Sequence, residues 1–148
     1  MIMKGKRMLW VEDDYFRLRG LTRPLKKKGL EIVFAKDEKE ATGLLDKKER
    51  FDIFLIDIII PEGIDDRKVA SVEVRENVGV DLIRRIRQNY NLSIPILVLT
   101  VVEDPIILQE IRNLGVSTII PKGNFHPSEL ENEVALVLGL KSDNCNTW

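Results

Sequence analysis

A chain of 148 residues with 44% apolar and 32% charged side chains is long enough for one domain with a substantial core and too short for two ordinary ones. Its formal net charge of −1 gives no global drive towards nucleic acid, and its one histidine and one cysteine argue against a His-based metal site or triad, a zinc pattern and an intramolecular disulfide. No apolar run reaches the roughly 18 residues of a membrane span and no signal-type segment opens the chain, so the cytoplasm is the expected location, with no membrane contact.

Lys6 to Val11 reads as a first strand running into three consecutive acids, Glu12, Asp13 and Asp14. These repel one another and call for a cation or a helix N-terminus nearby. A helix follows from about Tyr15 to Lys28, with Leu18, Leu21 and Leu25 on one stripe. Pro24 predicts a kink or a break after Thr22, and Gly29 is the natural stop. The run Lys26-Lys27-Lys28 suits the negative end of that helix better than it suits a nucleic-acid patch. Leu30 to Ala35 is a short second strand. Asp37 and Glu40 fit a capping box for a second helix running to about Glu49, with Ala41, Leu44 and Leu45 inward.

Phe51 to Pro61 predicts a central strand covered on both faces: an apolar, β-branched run interrupted by Asp57 and stopped by Pro61. A carboxylate there is costly unless it lies at the strand end, where a metal or a cation can meet it. Asp57 is therefore expected at the C-terminal lip, where open α/β sheets hold their ligands. From this stretch alone, a capping or turn acid without chemistry is the alternative. Residues 62–78 break the pattern with alternating acids and bases; Val72 and Val74 alternate with Glu73 and Arg75 as in a short exposed strand, within what reads as a partly ordered surface flap.

A third helix is expected over Gly79 to Asn89, with Val80, Leu82, Ile83 and Ile86 as its apolar face. Ile94 to Thr100 is a fourth strand. Asp104-Pro105 opens a fourth helix with Ile107, Leu108, Ile111 and Leu114 on its core side. Val116 to Ile120 is a fifth strand, followed by Pro121-Lys122-Gly123. His126-Pro127 opens a fifth helix to Leu138, with Leu130, Val134 and Leu138 inward. The chain so divides into a domain over residues 1–140, with an insertion at about 62–78, and a polar tail over 141–148 that carries Cys145 and Trp148.

Strands alternating with helices predict a parallel sheet with helices on both faces. All strand ends then share one edge, which brings together Glu12 and Asp13, Asp57, Thr100 and Lys122. Clustered carboxylates suit a hard divalent cation such as Mg²⁺, and a lysine and a hydroxyl beside them suit an anion. A phosphoryl group answers both. The implied chemistry is in-line attack by the Asp57 carboxylate on a phosphoryl donor to give an acyl phosphate.

On these residues the chain resembles the response-regulator receiver domains of two-component signalling. The resemblance covers roughly Lys6 to Leu138 and rests on Leu9-Trp10-Val11-Glu12-Asp13-Asp14, on Phe54-Leu55-Ile56-Asp57 with Pro61 four residues later, on Leu97-Val98-Leu99-Thr100, and on Lys122. It implies a flavodoxin-like five-stranded sheet of order 2-1-3-4-5. It implies Asp57 as phospho-acceptor, Asp13 as direct Mg²⁺ ligand, Glu12 as the partner acid acting through water, and the Ile59 carbonyl completing the metal shell. Thr100 becomes the switch hydroxyl and Lys122 the phosphate-pairing lysine, while Asp14 falls outside the pair. The implied partners are a sensor histidine kinase or phosphotransfer protein and a downstream protein target, with the fourth helix, fifth strand and fifth helix as output surface or homodimer face. Because the chain ends soon after the fifth helix, a stand-alone receiver without a DNA-binding output domain, or an excised one, is expected.

Several positions depart from the family pattern. The glycine usually found a few residues after the proline is Gly79, displaced by the insertion. Gly123 stands where a proline usually follows the lysine. Ile119 stands where an aromatic is common, which speaks against an aromatic switch of the usual kind. Val101 replaces a small residue and is bulky enough to crowd the pocket. The apolar Ile59 and Val102, at positions that usually tune hydrolysis, imply a long-lived acyl phosphate; Asp65 or Asp66 is a candidate to approach the metal. A domain of this family is not an enzyme beyond its own phosphorylation and dephosphorylation. Two other readings compete: a phosphorylation-independent interaction module, and a haloacid-dehalogenase-type phosphohydrolase. The latter wants a second acid two residues after the nucleophile, where Ile59 stands.

Overall fold

Five strands form where the apolar runs place them: β1 (Arg7–Val11), β2 (Glu31–Ala35), β3 (Ile53–Ile56), β4 (Ile96–Thr100) and β5 (Thr118–Pro121). In the computed structural model, which describes residues 2–61, 63, 77–123 and 126–140, they make one sheet of order β2-β1-β3-β4-β5. Every pairing is parallel, with Val11 beside Ala35 and Ile56, Ile56 beside Val98, and Thr100 beside Pro121. The chain enters at β1, winds one way to β2 and then crosses back to β3. The reversal between β1 and β3 opens the crevice at which such sheets hold ligands.

The period of two along each strand sorts its side chains into two cores. Leu9, Val11, Phe54, Ile56 and Val98 face one side and pack with α3 (Glu38–Asp46), α4 (Val78–Gln88) and α5 (Pro105–Asn113). Met8, Trp10, Ile53, Leu55, Leu97 and Leu99 face the other and pack with α2 (Arg23–Lys27) and α6 (Pro127–Val137). Strands covered on both faces carry no alternation of polarity, which is why β3 and β4 read as unbroken apolar runs.

The five expected helices become six, because the first is split. α1 (Tyr15–Leu18) passes into a 3₁₀ turn, Arg19–Thr22, and α2 starts at Arg23 with Pro24 in its first turn. The break falls after Thr22, where the proline ring cannot accept a continuing helix. Asp37 caps α3 by accepting from Glu40 N at 2.7 Å, and the Glu40 side chain accepts from Lys36 N rather than from the cap residue itself. α3 stops at Asp46, short of Glu49, as Lys48 turns to a φ of +59°. Asp104 and His126 cap α5 and α6 by accepting from Ile106 N and Ser128 N. α4 starts at Val78, one residue before the expected Gly79, so the excursion after β3 ends at Asn77. The expected strand at Val72–Val74, the acids Asp65 and Asp66, and the tail with Cys145 and Trp148 lie outside the described residues.

Arg87 ties the N-terminal edge of the sheet together. Its guanidinium donates to the carbonyls of Leu92, Ile94, Leu114 and Gly115, joining α4 to the loops that precede β4 and follow α5.

Candidate functional site

The site residues hang from the last rungs of the sheet's main-chain ladder. Glu12 N donates to Ala35 O at 2.9 Å, Asp57 N to Val11 O at 3.0 Å, and Lys122 N to Thr100 O at 2.8 Å. Each polar residue is thus held by a neighbouring strand one step past the apolar run. The side chain reaches the crevice while its backbone stays rigid.

The side chains then converge. Lys122 Nζ lies 2.6 Å from Asp57 Oδ2 and 2.8 Å from Glu12 Oε2. The first contact is a hydrogen bond; the second is a close ion pair to a fully buried carboxylate. Asp57 Oδ1 accepts from Ile59 N at 3.3 Å, and Glu12 Oε1 from Asp14 N at 3.2 Å. Thr100 Oγ accepts from Val102 N at 3.1 Å, which leaves its hydroxyl hydrogen to donate. Glu12 is fully buried and Asp57 only 2% exposed, whereas Asp13 is exposed. Asp14 pairs with Arg17 at 3.6 Å on the surface, outside this group.

Burial dominates the electrostatics. It pushes the Glu12 carboxyl up to about 7; the Asp57 charge pushes the same way, and Lys122 offsets only part of it. Burial also pulls Lys122 down, but its contacts with Asp57 and Glu12 outweigh that and hold it above the ordinary lysine value. One ammonium does not neutralise this pocket. Oxygens of Glu12, Asp13 and Asp57 all lie within 4.8 Å of one another. Three hard donors around an under-neutralised buried carboxylate fit a small divalent cation.

Gly79 sets the wall behind Asp57. Its N–H donates to Ile58 O at 2.9 Å, and a Cβ at this position would lie 2.2 Å from Asp57 O and 2.5 Å from Ile58 Cα. Only glycine lets the first turn of α4 rest on the peptide that carries Asp57. Among the other expectations, Val101 is 57% exposed, Ile59 is 43% exposed, and Ile119 is partly buried against the core. Sequence reasoning brought Glu12, Asp13, Asp57, Thr100 and Lys122 to one edge. It missed the complete burial of Glu12 and its direct contact with Lys122; the adjacent Val11, the last residue of a both-faces-covered strand, was the available signal.

The strand order and the acid-and-lysine pocket at the β1–β3 crevice define a flavodoxin-like α/β domain. Residues 8–135 match the model of the response regulator receiver domain, and the chain belongs to that family. It is 30% identical over 129 residues to the transcriptional regulatory protein CrdR of Helicobacter pylori (strain ATCC 700392 / 26695), covering 87% of this chain and 53% of that protein. It is 32% identical over 83 residues to "Probable histidine kinase 4" of Oryza sativa subsp. japonica, covering 54% of this chain and 8% of that protein. The chain therefore spans about half of the first relative and a small part of the second. A two-component response regulator from Clostridium difficile superposes with a TM-score of 0.72 at 21% identity, over 96% of this chain and 99% of that one, a likeness of fold. No helix among the described residues is long and apolar enough to cross a membrane.

Proposed function

We propose that this domain accepts a phosphoryl group on Asp57 from the phosphohistidine of a histidine kinase or phosphotransfer protein, with Mg²⁺, and signals through protein contacts. The observation that carries the reading is the Lys122 ammonium 2.6 Å from an almost completely buried Asp57 carboxylate, inside a group of three acids.

Glu12, Asp13 and Asp57 would hold the metal, with the Ile59 carbonyl. When bound, Mg²⁺ supplies positive charge against the phosphoryl oxygens. In the reaction an Asp57 oxygen attacks phosphorus in line. The phosphorus–nitrogen bond breaks, its electron pair stays on the donor histidine, and that nitrogen takes a proton. The product is an acyl phosphate. Lys122 pairs with the added charge, and the Thr100 hydroxyl donates to a phosphoryl oxygen. The fixed backbone at the ladder's end keeps Asp57 in place during attack. The cytoplasm is the expected setting. The face of α5, β5 and α6 is the expected output surface, for a downstream protein or for a second copy.

Beryllofluoride, a mimic of the acyl phosphate, tests the reading. Fluorine NMR should show a stoichiometric bound signal that needs both Mg²⁺ and Asp57. No bound signal at saturating Mg²⁺ favours a phosphorylation-independent interaction module, and sustained turnover of a phosphoester favours a phosphohydrolase.

A further inference from the structure

The link from β1 to β2 is weakly built at its N-terminal end. It comes in three pieces, α1, the 3₁₀ turn and α2, of four, four and five residues, each far below the roughly 12 residues at which a helix holds without tertiary packing. No side chain caps α1 at Asp14, and none of the α1 residues is buried. Thr22 is the buried residue of the 3₁₀ turn, and Leu18 and Leu21 are only partly buried against the core. Tyr15 adds a stack on Phe34, with ring centroids 4.6 Å apart. Arg17, Arg19, Arg23, Lys26 and Lys27 are exposed, and no acid lies between Tyr15 and Lys28 to offset their repulsion. The core that Leu18 and Leu21 cover includes Trp10, whose buried indole N–H has no hydrogen-bond partner among the described residues. Water entering as the segment lifts would accept from it, which offsets part of the apolar exposure. Few buried contacts and short hydrogen-bonded runs mark a segment that opens while the rest of the domain stays folded. α2 is different: its Leu25 is fully buried, so the unit ends at Thr22.

This segment begins where the pocket ends. Glu12 is held by the sheet through its N–H on Ala35 O, but Asp13 lies past that rung. The first bond of α1 runs from Leu18 N to Asp14 O at 3.2 Å. Asp13 therefore keeps its place, with an oxygen within 4.8 Å of those of Glu12 and Asp57, through the turn that α1 completes. We propose that Tyr15–Thr22 is a locally opening unit and that a divalent ion in the acid group closes it. This rests on the reading of the pocket as a metal site and adds a conformational consequence of filling it. An ion that needs Asp13 binds the closed form and not the open one. It lowers the open population about elevenfold when free Mg²⁺ stands at about ten times its Kd. The coupling is reciprocal, so a contact that holds α1 down also helps to hold the ion.

Native-state hydrogen exchange of the whole chain, read by NMR, tests this, with calorimetry supplying the Kd for Mg²⁺. Without Mg²⁺, the amides of Leu18 to Thr22 should exchange at least about 100-fold faster than those of Phe54 and Leu55 in β3. Low urea should leave their rates nearly unchanged, as expected of an opening that exposes little surface. With Mg²⁺ at about ten times Kd, the same amides should slow about tenfold. Gly20→Ala supplies a variant outside the pocket, since nothing lies within 4 Å of the added Cβ and Gly20 has no left-handed φ. It should slow the segment about fivefold without Mg²⁺, by favouring the closed backbone. Segment amides as slow and as urea-sensitive as those of β3 overturn the proposal, and so does a segment whose rates Gly20→Ala leaves unmoved. Rates unmoved by Mg²⁺ that calorimetry shows to be bound overturn the coupling and leave the pocket reading standing. No Mg²⁺ binding by calorimetry rejects the pocket reading and the coupling with it.

Discussion

Gly79→Ala adds one methyl group to the first turn of α4. At an exposed helix position that change stabilises by about 1 kcal/mol. Here the new Cβ would meet Asp57 O at 2.2 Å, Ile58 Cα at 2.5 Å and Ile58 O at 2.9 Å. All three are main-chain atoms of the site, so no side chain can rotate away. Relief requires α4 to separate from the Asp57–Ile58 peptide by roughly 1 Å to restore van der Waals contact. Overpacking of this kind costs about 1–3 kcal/mol. The separation also weakens the bond from Gly79 N to Ile58 O, worth about 1 kcal/mol. Set against the helix-propensity gain, the net expectation is a loss of about 2 kcal/mol. The same displacement moves Asp57 relative to Lys122, so Mg²⁺ affinity should fall as well. Urea unfolding of both proteins gives the first quantity, provided the slopes agree, and calorimetry on the folded proteins gives the second. A Gly79→Ala protein within about 0.5 kcal/mol of wild type would refute the close packing of α4 on the acceptor peptide.

Glu12 gives a pH signature. With its folded value raised to about 7 from 4.5, the native state holds a proton that the unfolded chain has lost between those two values. The stability from this group is fully present below 4.5 and lost as pH rises through 7, by up to about 3 kcal/mol without metal. Denaturant melts across this window should show the fall in wild type and its absence in Glu12→Gln. Arg87→Met leaves four carbonyls without their donor; it should cost about 2–4 kcal/mol in urea melts while Mg²⁺ affinity stays put, since the residue lies at the opposite edge of the sheet. Ile59 and Val102 offer no polar side-chain atom to orient an attacking water. The acyl phosphate should then persist for minutes or longer when its decay is followed after donor removal, and decay within seconds contradicts this.

The fold was legible because its punctuation is local. Both-faces-covered strands read as apolar runs, Asp37, Asp104 and His126 stand at helix starts, and Pro24 marks the break between α1 and α2. Ends without such a marker drifted: α3 stops at Asp46, ahead of a left-handed Lys48, and β4 begins at Ile96 rather than Ile94. That Glu12, Asp13, Asp57, Thr100 and Lys122 share one edge was legible because a parallel sheet gathers strand ends there. Their pairing was not. That Lys122 contacts both Glu12 and Asp57 depends on how far a flexible side chain reaches across three strands. The fit of Gly79 behind Asp57 depends on an approach of α4 that residue order does not encode.

The most direct measurement is the intact mass of the protein after incubation with acetyl phosphate and Mg²⁺, wild type beside Asp57→Ala. The wild type should gain the mass of one phosphoryl group, lose it when Mg²⁺ is chelated before the donor is added, and show it on Asp57 by peptide mapping. An unmodified wild type, or an Asp57→Ala protein modified to the same extent, would contradict the assignment of Asp57 as the acceptor.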